Sequence, residues 1–220
     1  MTVTAIVSAY YAKEYIKGRL ENLLEQEPQP EIIVVCQVRS PEHKAAKAHK
    51  IMAIATEGIP TIYKAWNMAI EYASGDYITN ANCDDRLYPG ALAELAKVLD
   101  DNQDVGISYS WVDIVKKIGG DPIGKYTWSE GGFDLLMKGC FMGPFPMWRK
   151  SLHDEYGLFD DNLKIAGDYD MWLRLLKNGV QCKCIRKSLG AYLSRPDSAE
   201  HREELTAVWE TAKVRTRHRR

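Results

Sequence analysis

The sequence lacks the features that would place the protein in a membrane or in an oxidising compartment. No apolar run approaches the roughly 20 residues that a membrane-spanning helix needs. The stretch MTVTAIVSAYYAKEY has neither the basic start nor the apolar length of a signal peptide. The five cysteines are odd in number and never spaced as CxxC, which argues against a disulfide framework or a zinc site. We therefore predict a cytoplasmic protein with reduced cysteines.

The chain also has little excess charge. Its 29 Lys and Arg residues nearly balance 30 Asp and Glu residues, so nothing favours wholesale binding of nucleic acid. With 220 residues, 45% of them hydrophobic, the chain is long enough for one well-buried core, and we predict a single domain over residues 1–220.

Short β-like segments alternate with longer helical ones in the first half of the chain. The patterns predict strands over 3–9, 31–36, 51–56, 75–79 and 105–115 and helices over 13–26, 61–73 and 89–102, the last with Pro89 in its first turn. Such alternation is typical of a mainly parallel sheet covered by helices. In sheets of this kind, ligands bind beyond the carboxyl ends of the strands.

The second half is less regular. Its composition predicts a hairpin over 116–125, a short helix within 131–139, an extended segment over 143–148, a helix over 167–179 that Gly179 closes, a strand over 181–187, and a final helix from about Asp197.

Two aspartates, Asp84 and Asp85, stand side by side just after a predicted strand. One interpretation is that they cap the helix that begins near Pro89, since carboxylates are favoured at helix N-termini. However, a cap needs one carboxylate directly before the helix, and this pair lies several residues earlier. The other interpretation is a site for Mg²⁺ or Mn²⁺, which one or two carboxylates hold together with phosphate oxygens.

A second acidic pair, Asp168 and Asp170, opens the helix predicted over 167–179. Capping again explains the position of Asp168. The functional interpretation makes Asp168 a general base on the rim of a cleft, able to take a proton from an attacking hydroxyl. The two interpretations are compatible.

Three blocks together resemble family 2 glycosyltransferases: VTAIVSAYYAKEYIKGRLENLLEQ with EIIVVC, then IYKAWNMAIEYASGDYITNANCDDRLYPGALAEL, then GPFPMWRKSLHDEYGLFDDNLKIAGDYDMWLRLLKNG. The resemblance runs from about residue 3 to 195. It implies the α/β nucleotide-diphospho-sugar transferase fold called GT-A, a mainly parallel central sheet flanked by helices. It also implies a cofactor, Mn²⁺ or Mg²⁺, and inverting transfer of a sugar to a hydroxyl acceptor in polysaccharide or glycoconjugate biosynthesis.

The resemblance also assigns candidate site residues. It makes Asp85 the direct metal ligand, Asp84 a ligand or a contact to the ribose, and Asp168 the catalytic base, with Gly167 where the family commonly has glutamate. It divides the chain into a nucleotide-sugar half, about 1–115, and an acceptor half, about 116–220. The remaining candidates are Ala9, Tyr10, Gln37, Asn67 and Arg195 for the donor and Trp128, Trp148 and Asp170 for the acceptor.

Some positions depart from the family pattern. Cys36 and Gln37 stand where the family has acidic residues that bind the nucleotide, and these neutral side chains leave the choice among UDP, GDP and dTDP sugars open. Among these donors we predict a UDP-sugar, with GDP and dTDP sugars as alternatives. A histidine expected near Arg195 is missing from its usual place, and His201 is interpreted either as its substitute or as an exposed histidine of the final helix. These departures leave a second hypothesis open, a GT-A-like nucleotide-sugar-binding or regulatory module without turnover. A nucleotidyltransferase is disfavoured by the lack of an N-terminal glycine-rich phosphate loop bearing Lys or Arg.

The C-terminal segment KVRTRHRR carries five Lys and Arg residues among its eight. It is interpreted either as a solvated end or as a weak contact to anionic lipid, which would suit a lipid-linked acceptor and a location peripheral to the membrane.

Overall fold

A single mixed sheet organises the molecule in the computed structural model, which describes residues 1–195 and 203–219. Its strands, among the described residues, are β1 Val3–Ala9, β2 Glu31–Gln37, β3 Met52–Thr56, β4 Tyr77–Asn80, β5 Arg86–Leu87, β6 Val105–Val115, β7 Gly124–Tyr126, β8 Met147–Arg149 and β9 Gln181–Leu193. They are ordered β3-β2-β1-β4-β8-β6-β9-β5, with β7 paired to β6 outside this path.

Helices cover the sheet. They are α1 Ile16–Leu24, α2 Pro41–Ala48, α3 Ile62–Tyr72, α4 Ala91–Asp101, α5 Phe133–Leu136, α6 Leu152–Tyr156, α7 Gly167–Lys177 and α8 Glu204–His218. None of these helices in the described ranges combines the length and the apolar character needed to cross a membrane.

Strands β3, β2, β1 and β4 are parallel, so their carboxyl ends share one edge of the sheet. The next strand, β8, is antiparallel to both β4 and β6, and β9 is parallel to β6. Strands from the second half of the chain therefore continue the sheet that the first half begins. The edge formed by β1, β2, β3 and β4 is where the topology places a ligand site.

Alternation along the strands builds a core on each face of the sheet, because successive side chains point to opposite sides. Ile6 packs on one face with Trp66 of α3 and Trp172 of α7. Val7, the next residue, packs on the other face with Leu20 of α1 and Leu95 of α4. Both faces are thus buried, which explains the near-continuous apolar runs of β1 and β2.

Most predicted elements are present, with some differences. Helices α2 and α6 and the short strand β5 were not predicted. Helix α4 begins at Ala91 rather than at Pro89, because Gly90 at its N-cap has a φ of 77°, outside the helical region. Strand β9 continues to Leu193, well beyond the predicted end. The predicted start of the last helix near Asp197 lies outside the described residues, and α8 is described from Glu204.

Candidate active site

The acidic pair follows β4 directly at the shared carboxyl edge. Asn80 ends β4 and donates its Nδ2 to Pro144 O at 2.7 Å. Ala81 N donates to Ile6 O, which continues the pairing with β1. Cys83 is buried with its Sγ 3.8 Å from Ser8 O, and burial raises the pKa of this thiol to about 12. Cys83 therefore packs the turn against β1.

The two carboxylates of the pair have different surroundings. Asp85 is 2% exposed and accepts hydrogen bonds from Leu193 N at 3.1 Å and Asn82 Nδ2 at 3.2 Å. Burial, together with the charge of Asp84, raises the pKa of Asp85 to about 7. Asp84 is more open and forms an ion pair with Arg195, with 2.6 Å between Oδ2 and Nη2. Asp84 is therefore the carboxylate of the pair that an incoming ligand reaches first.

Two arginines hold the backbone of this turn. Nη1 of the fully buried Arg19 donates to Asp85 O at 3.2 Å, and burial lowers the pKa of Arg19 to about 10. Arg86 Nη1 donates to Cys83 O at 2.8 Å and to Asp85 O at 2.7 Å. Gly18 makes room for Arg86, since a Cβ there would lie 2.8 Å from Nη2. Two positive charges thus lie beneath the acidic pair.

These arginines escaped the sequence analysis, although Arg19 gave a signal. Arg19 shares the apolar face of α1 with Ile16 and Leu20. An arginine on such a face is rarely fully buried unless it has a polar partner, so its position indicated a buried hydrogen-bonding role.

The donor set of this turn fits a divalent cation. Carboxylate oxygens are the ligands that Mg²⁺ and Mn²⁺ prefer, and such ions usually complete their shell with water and substrate phosphates. Asp85, the direct ligand predicted from the sequence, and Asp84, the more exposed of the two, would each bind the ion directly or through water. Within the part of the chain that the structure describes, no group of three or more His, Cys, Asp and Glu residues could hold a metal ion by itself.

Polar and aromatic groups continue along the same edge. Tyr10 follows β1, and its hydroxyl lies 2.9 Å from Thr56 Oγ1 at the end of β3. Gln37, the last residue of β2, is exposed, and its Nε2 donates to Glu57 O at 3.3 Å. Ala9 is buried. Tyr11 is 83% exposed and has a φ of 55°, which is uncommon for a tyrosine.

Asp168 lies at a different place, in the first turn of α7. Its Oδ1 accepts hydrogen bonds from Tyr63 Oη at 3.1 Å and from Tyr169 N at 2.7 Å. It borders a cleft of about 690 Å³ whose other lining residues include Ile59, Tyr63, Cys140, Ala207, Thr211 and Arg215. Helix α8 therefore forms one wall of this cleft.

Gly167 explains how Tyr63 reaches Asp168. A Cβ at position 167 would lie 2.5 Å from the Tyr63 ring. The glutamate that the family commonly has here would therefore collide with Tyr63. In this chain the tyrosine occupies that space and donates its hydroxyl to the aspartate.

Three candidates from the sequence are committed to packing, which corrects their expected placement in the site. Trp148 is 0% exposed, and its Nε1 donates to His153 Nε2 at 2.8 Å in the core. Asp170 is buried and pairs with Arg217 and His218 of α8. The Asn67 side chain donates to Phe159 O and accepts from Phe159 N. A ligand could contact Trp148 or Asp170 only after the core had opened.

Trp128 is better placed. Its ring stacks on Tyr126 at 5.7 Å between centroids, and Tyr126 lies 6.2 Å from Tyr192. Leu193, the neighbour of Tyr192, donates to Asp85. Arg195 lies over the Tyr15 ring at 5.0 Å while it pairs with Asp84. The aromatic cluster of Tyr126, Trp128 and Tyr192 is therefore connected to the acidic pair through Leu193.

The segment 140–144 borders both parts of the site. Cys140 lines the cleft beside Asp168, a Cβ at position 143 would lie 3.0 Å from the Trp128 ring, and Pro144 O accepts from Asn80 at the end of β4. His201 lies outside the described residues.

Comparison with known proteins agrees with this geometry. The model of the family described as Glycosyl transferase family 2 matches residues 4–156. The chain belongs to this family. Asp84 and Asp85 lie within the matched part, and Asp168 lies beyond it.

Relatives of this family 2 chain include an uncharacterized glycosyltransferase, MJ1057, of Methanocaldococcus jannaschii. It is 23% identical over 205 residues, which are 86% of this chain and 70% of that protein. Among solved structures, S. aureus TarS 1–349 in complex with UDP has a TM-score of 0.77 at 16% identity over 99% of this chain. The mannosyltransferase PcManGT from Pyrobaculum calidifontis, in complex with GDP-Man and Mn²⁺, has a TM-score of 0.74 at 17% identity over 99% of this chain.

These two likenesses establish the GT-A fold for the chain. The chain spans 65% of each of these two solved chains and from 17% to 70% of the curated relatives' lengths.

Proposed function

We propose that the chain transfers a sugar from a nucleotide diphosphate sugar to a hydroxyl acceptor, with inversion at the anomeric carbon. The observation that carries the proposal is the placement of Asp84 and Asp85 at the carboxyl edge of the parallel strands, joined through the segment 140–144 to a cleft that Asp168 borders. Family membership supports the proposal, as do the UDP complex of TarS and the GDP-Man complex of PcManGT.

The donor is assigned to the edge with the acidic pair. When bound, Mn²⁺ or Mg²⁺ would neutralise negative charge on the diphosphate leaving group. Arg195, now paired with Asp84, is placed to exchange that carboxylate for a phosphate oxygen, which guanidinium groups bind well. Tyr10 and Gln37 border the position assigned to the nucleotide base, and the donor and acceptor groups of Gln37 suit a base edge. UDP is our first choice for the nucleotide.

The acceptor is assigned to the cleft beside Asp168. This carboxylate takes the proton from the acceptor hydroxyl as the hydroxyl oxygen bonds to the anomeric carbon of the sugar. The bond between that carbon and the diphosphate oxygen breaks on the opposite face of the sugar. The Tyr63 hydroxyl and the amide of Tyr169 both bind Oδ1, so they fix the direction of the carboxylate. Trp128 is assigned to the acceptor side because an aromatic face suits a sugar ring. We propose that the protein acts in polysaccharide or glycoconjugate assembly.

A lipid-linked acceptor would suit a contact between α8 and an anionic bilayer. Several cationic side chains of the tail already have partners within the protein: Arg215 donates to Lys138 O, and Arg217 and His218 pair with Asp170. Fewer charges of the tail are therefore available to anionic lipid than the sequence implied. The exposed face of α8 instead carries Leu205, Val208 and Trp209, with Lys213 over the Trp209 ring.

Sedimentation with vesicles tests this contact. We expect binding to vesicles rich in phosphatidylglycerol, whose negative surface attracts cationic side chains, and not to pure phosphatidylcholine. The double variant Leu205→Ser, Trp209→Ser should lose the binding. Binding that survives this variant, or a concentration-dependent dimer instead of binding, overturns the assignment. The cytoplasmic, membrane-peripheral location stays a prediction.

A thermal-shift panel tests the main proposal. The chain is mixed with UDP, GDP, dTDP and CMP, each with and without Mn²⁺. One diphosphate should raise Tm, and only with metal, because a ligand that binds the folded state stabilises it. Asp84→Asn should abolish this shift. Asp168→Asn should keep the shift but lose transfer, and undiminished transfer by Asp168→Asn would rule out its role as the base.

The alternative is a binding module without turnover, for which the neutral Cys36 and Gln37 argue. Such a module would show the metal-dependent shift with one nucleotide but no hydrolysis of the matching sugar nucleotide. No response to any nucleotide would contradict both transfer and nucleotide-sugar binding, and would favour a regulatory module without turnover.

A further inference from the structure

Asp168 is held from outside its own helix by α8. Glu210 of α8 is buried, and its carboxylate accepts hydrogen bonds from three consecutive amides, those of Lys164, Ile165 and Ala166. The distances lie between 2.8 and 3.1 Å. These amides belong to the turn that leads directly into α7, two residues before Asp168.

A carboxylate at this place anchors the turn that runs up to the start of α7. The last of the three amides is that of Ala166, the N-cap of α7, which has no side-chain cap of its own. Three converging amides form an anion-binding concavity, and the N-terminus of a helix adds partial positive charge. Hydrogen bonds from amides to a buried carboxylate are stronger than those between neutral groups. Glu210 therefore fixes where α7 begins.

A second contact holds the chain on the other side of Asp168. Asp170 Oδ1 binds Arg217 Nη1 at 2.8 Å and His218 Nε2 at 3.0 Å, both from the last turn of α8. Arg217 also binds Asp160 at 2.9 Å. The net effect of these partners lowers the pKa of Asp170, although its burial acts in the opposite direction. Helix α8 thus binds the chain on both sides of Asp168, at residues 164–166 and at Asp170.

We propose that Glu210 is a positioning residue for Asp168, with Arg217 and His218 as the second point of attachment. The role of Asp168 as base rests on the proposed function. The same helix forms a wall of the cleft through Ala207 and Thr211. Helix α8 therefore sets the position of the base relative to the acceptor that lies between them.

Hydrogen exchange tests the contact without any assumption about activity. In Glu210→Gln, one of the two carboxylate oxygens is replaced by an NH₂ group, which donates hydrogen bonds and cannot accept them. The amides of Lys164, Ile165 and Ala166 should exchange at least about tenfold faster than in the parent chain, since the hydrogen bonds that protect them are lost. Amides of β1 and β4 should keep their protection. The control is Glu204→Gln, an exposed glutamate one and a half turns earlier on α8, which should change neither set.

Kinetics test the consequence. Hydrolysis of UDP-GlcNAc and of GDP-Man is measured, with water as acceptor. A misplaced base costs up to about 100-fold in rate, so Glu210→Gln should lower kcat by 10- to 100-fold. KM for the donor and the nucleotide-induced rise in Tm should be unchanged, because the hydrogen bonds that join α8 to other described residues involve neither the acidic pair nor Tyr10 or Gln37. A general loss of structure would instead change KM, the nucleotide shift and kcat together.

The outcomes separate the two proposals. If the parent chain responds to no nucleotide in the thermal-shift panel and hydrolyses neither donor, the proposed function fails, and the exchange of residues 164–166 alone decides whether Glu210 holds the turn. If exchange and kcat of Glu210→Gln equal those of the parent, the positioning role is wrong while the transferase stands. If Glu210→Gln does not fold, Arg217→Gln replaces it, because Arg217 is partly exposed. It should lower kcat at least about threefold with KM unchanged, and parental kinetics in that variant overturn the proposal.

Discussion

At the scale of single residues, Gly167 shows how one missing side chain shapes the surroundings of the candidate base. The Tyr63 ring occupies the space that a Cβ at position 167 would need, at 2.5 Å. The Tyr63 hydroxyl binds both Ile165 O and Asp168 Oδ1. Burial, followed by the charge of Asp168, raises the pKa of Tyr63 well above its ordinary value. This hydroxyl therefore acts as a donor.

Gly167→Ala should displace the Tyr63 ring and weaken its hydrogen bond to Asp168. Overpacking of this kind costs about 1 to 3 kcal/mol, so the free energy of unfolding should fall by that amount. Urea denaturation measures the change. The matched control is Gly139→Ala, where a Cβ would have no atom within 4 Å and the expected change is small. Equal stability of Gly167→Ala and the parent would contradict the predicted clash between a Cβ at position 167 and the Tyr63 ring.

His153 gives a prediction for pH. Trp148 Nε1 donates to His153 Nε2, so the imidazole is neutral and its Nδ1 donates to Gly157 O at 3.1 Å. Burial lowers the pKa of His153 from the ordinary value of 6.5. Below about pH 6.5 the unfolded chain binds a proton that the folded chain does not, so stability should fall as the pH is lowered through this range and become independent of this group below the folded pKa.

The measurement is Tm across pH 7.5 to 4.5, about the interval in which histidine titrates. His153→Gln keeps an acceptor for Trp148 and cannot titrate here, so the part of the slope due to this group should vanish. The same slope in both proteins would show that His153 is not responsible for the acid sensitivity.

At the scale of elements, α4 depends on a side chain from β8. Arg149 donates to Leu99 O, Asn102 O and Val105 O, which are carbonyls at and just beyond the C-terminal end of the helix. Hydrogen bonds to charged groups contribute about 1.5 to 3 kcal/mol. Arg149→Met keeps the apolar stem and loses these bonds, so the free energy of unfolding should fall by about 2 kcal/mol.

That loss corresponds to a drop in Tm of about 4 to 8 °C for a chain of this size, measured by calorimetry. The control is Lys187→Met, which removes an exposed ion pair to Glu94 of the same helix and should cost less than about 1 kcal/mol. A drop as small as that of the control would refute the capping role of Arg149.

Periodicity predicted β1, β2, β3, β4 and β6 to within two residues, because buried parallel strands are short apolar runs between helices. The two-residue strand β5 has no such pattern and was missed. It missed α2, whose exposed, lysine-rich residues have little apolar pattern. Ser40 and Pro41 did provide a start signal, and Ser40 accepts from His43 N at the N-cap.

The same limit applied to the candidate site. Position at a strand end or helix start led to Asp84, Asp85 and Asp168. It could not show that Trp148 points into the core, nor that Tyr63 meets Asp168 across more than one hundred residues of chain. Contacts at that separation are set by packing, which a local pattern does not contain.

At the scale of the whole molecule, the sheet interleaves the two halves of the chain. Strand β8 lies between β4 and β6, and β5 of the first half pairs only with β9 of the second among the described strands. The two core clusters also draw residues from both halves. From this interleaving we expect that neither residues 1–115 nor residues 116–220 fold alone, and the single domain stays a prediction.

We therefore expect one cooperative unfolding transition. Far-ultraviolet circular dichroism and tryptophan fluorescence should give coincident melting curves, and the ratio of calorimetric to van't Hoff enthalpy should be about 1. A fragment of residues 1–115 should lack a cooperative transition, because β4 would leave an unpaired edge where β8 belongs. Two separated transitions, or a 1–115 fragment that melts cooperatively, would show that the nucleotide-sugar half folds by itself and that the chain contains two units.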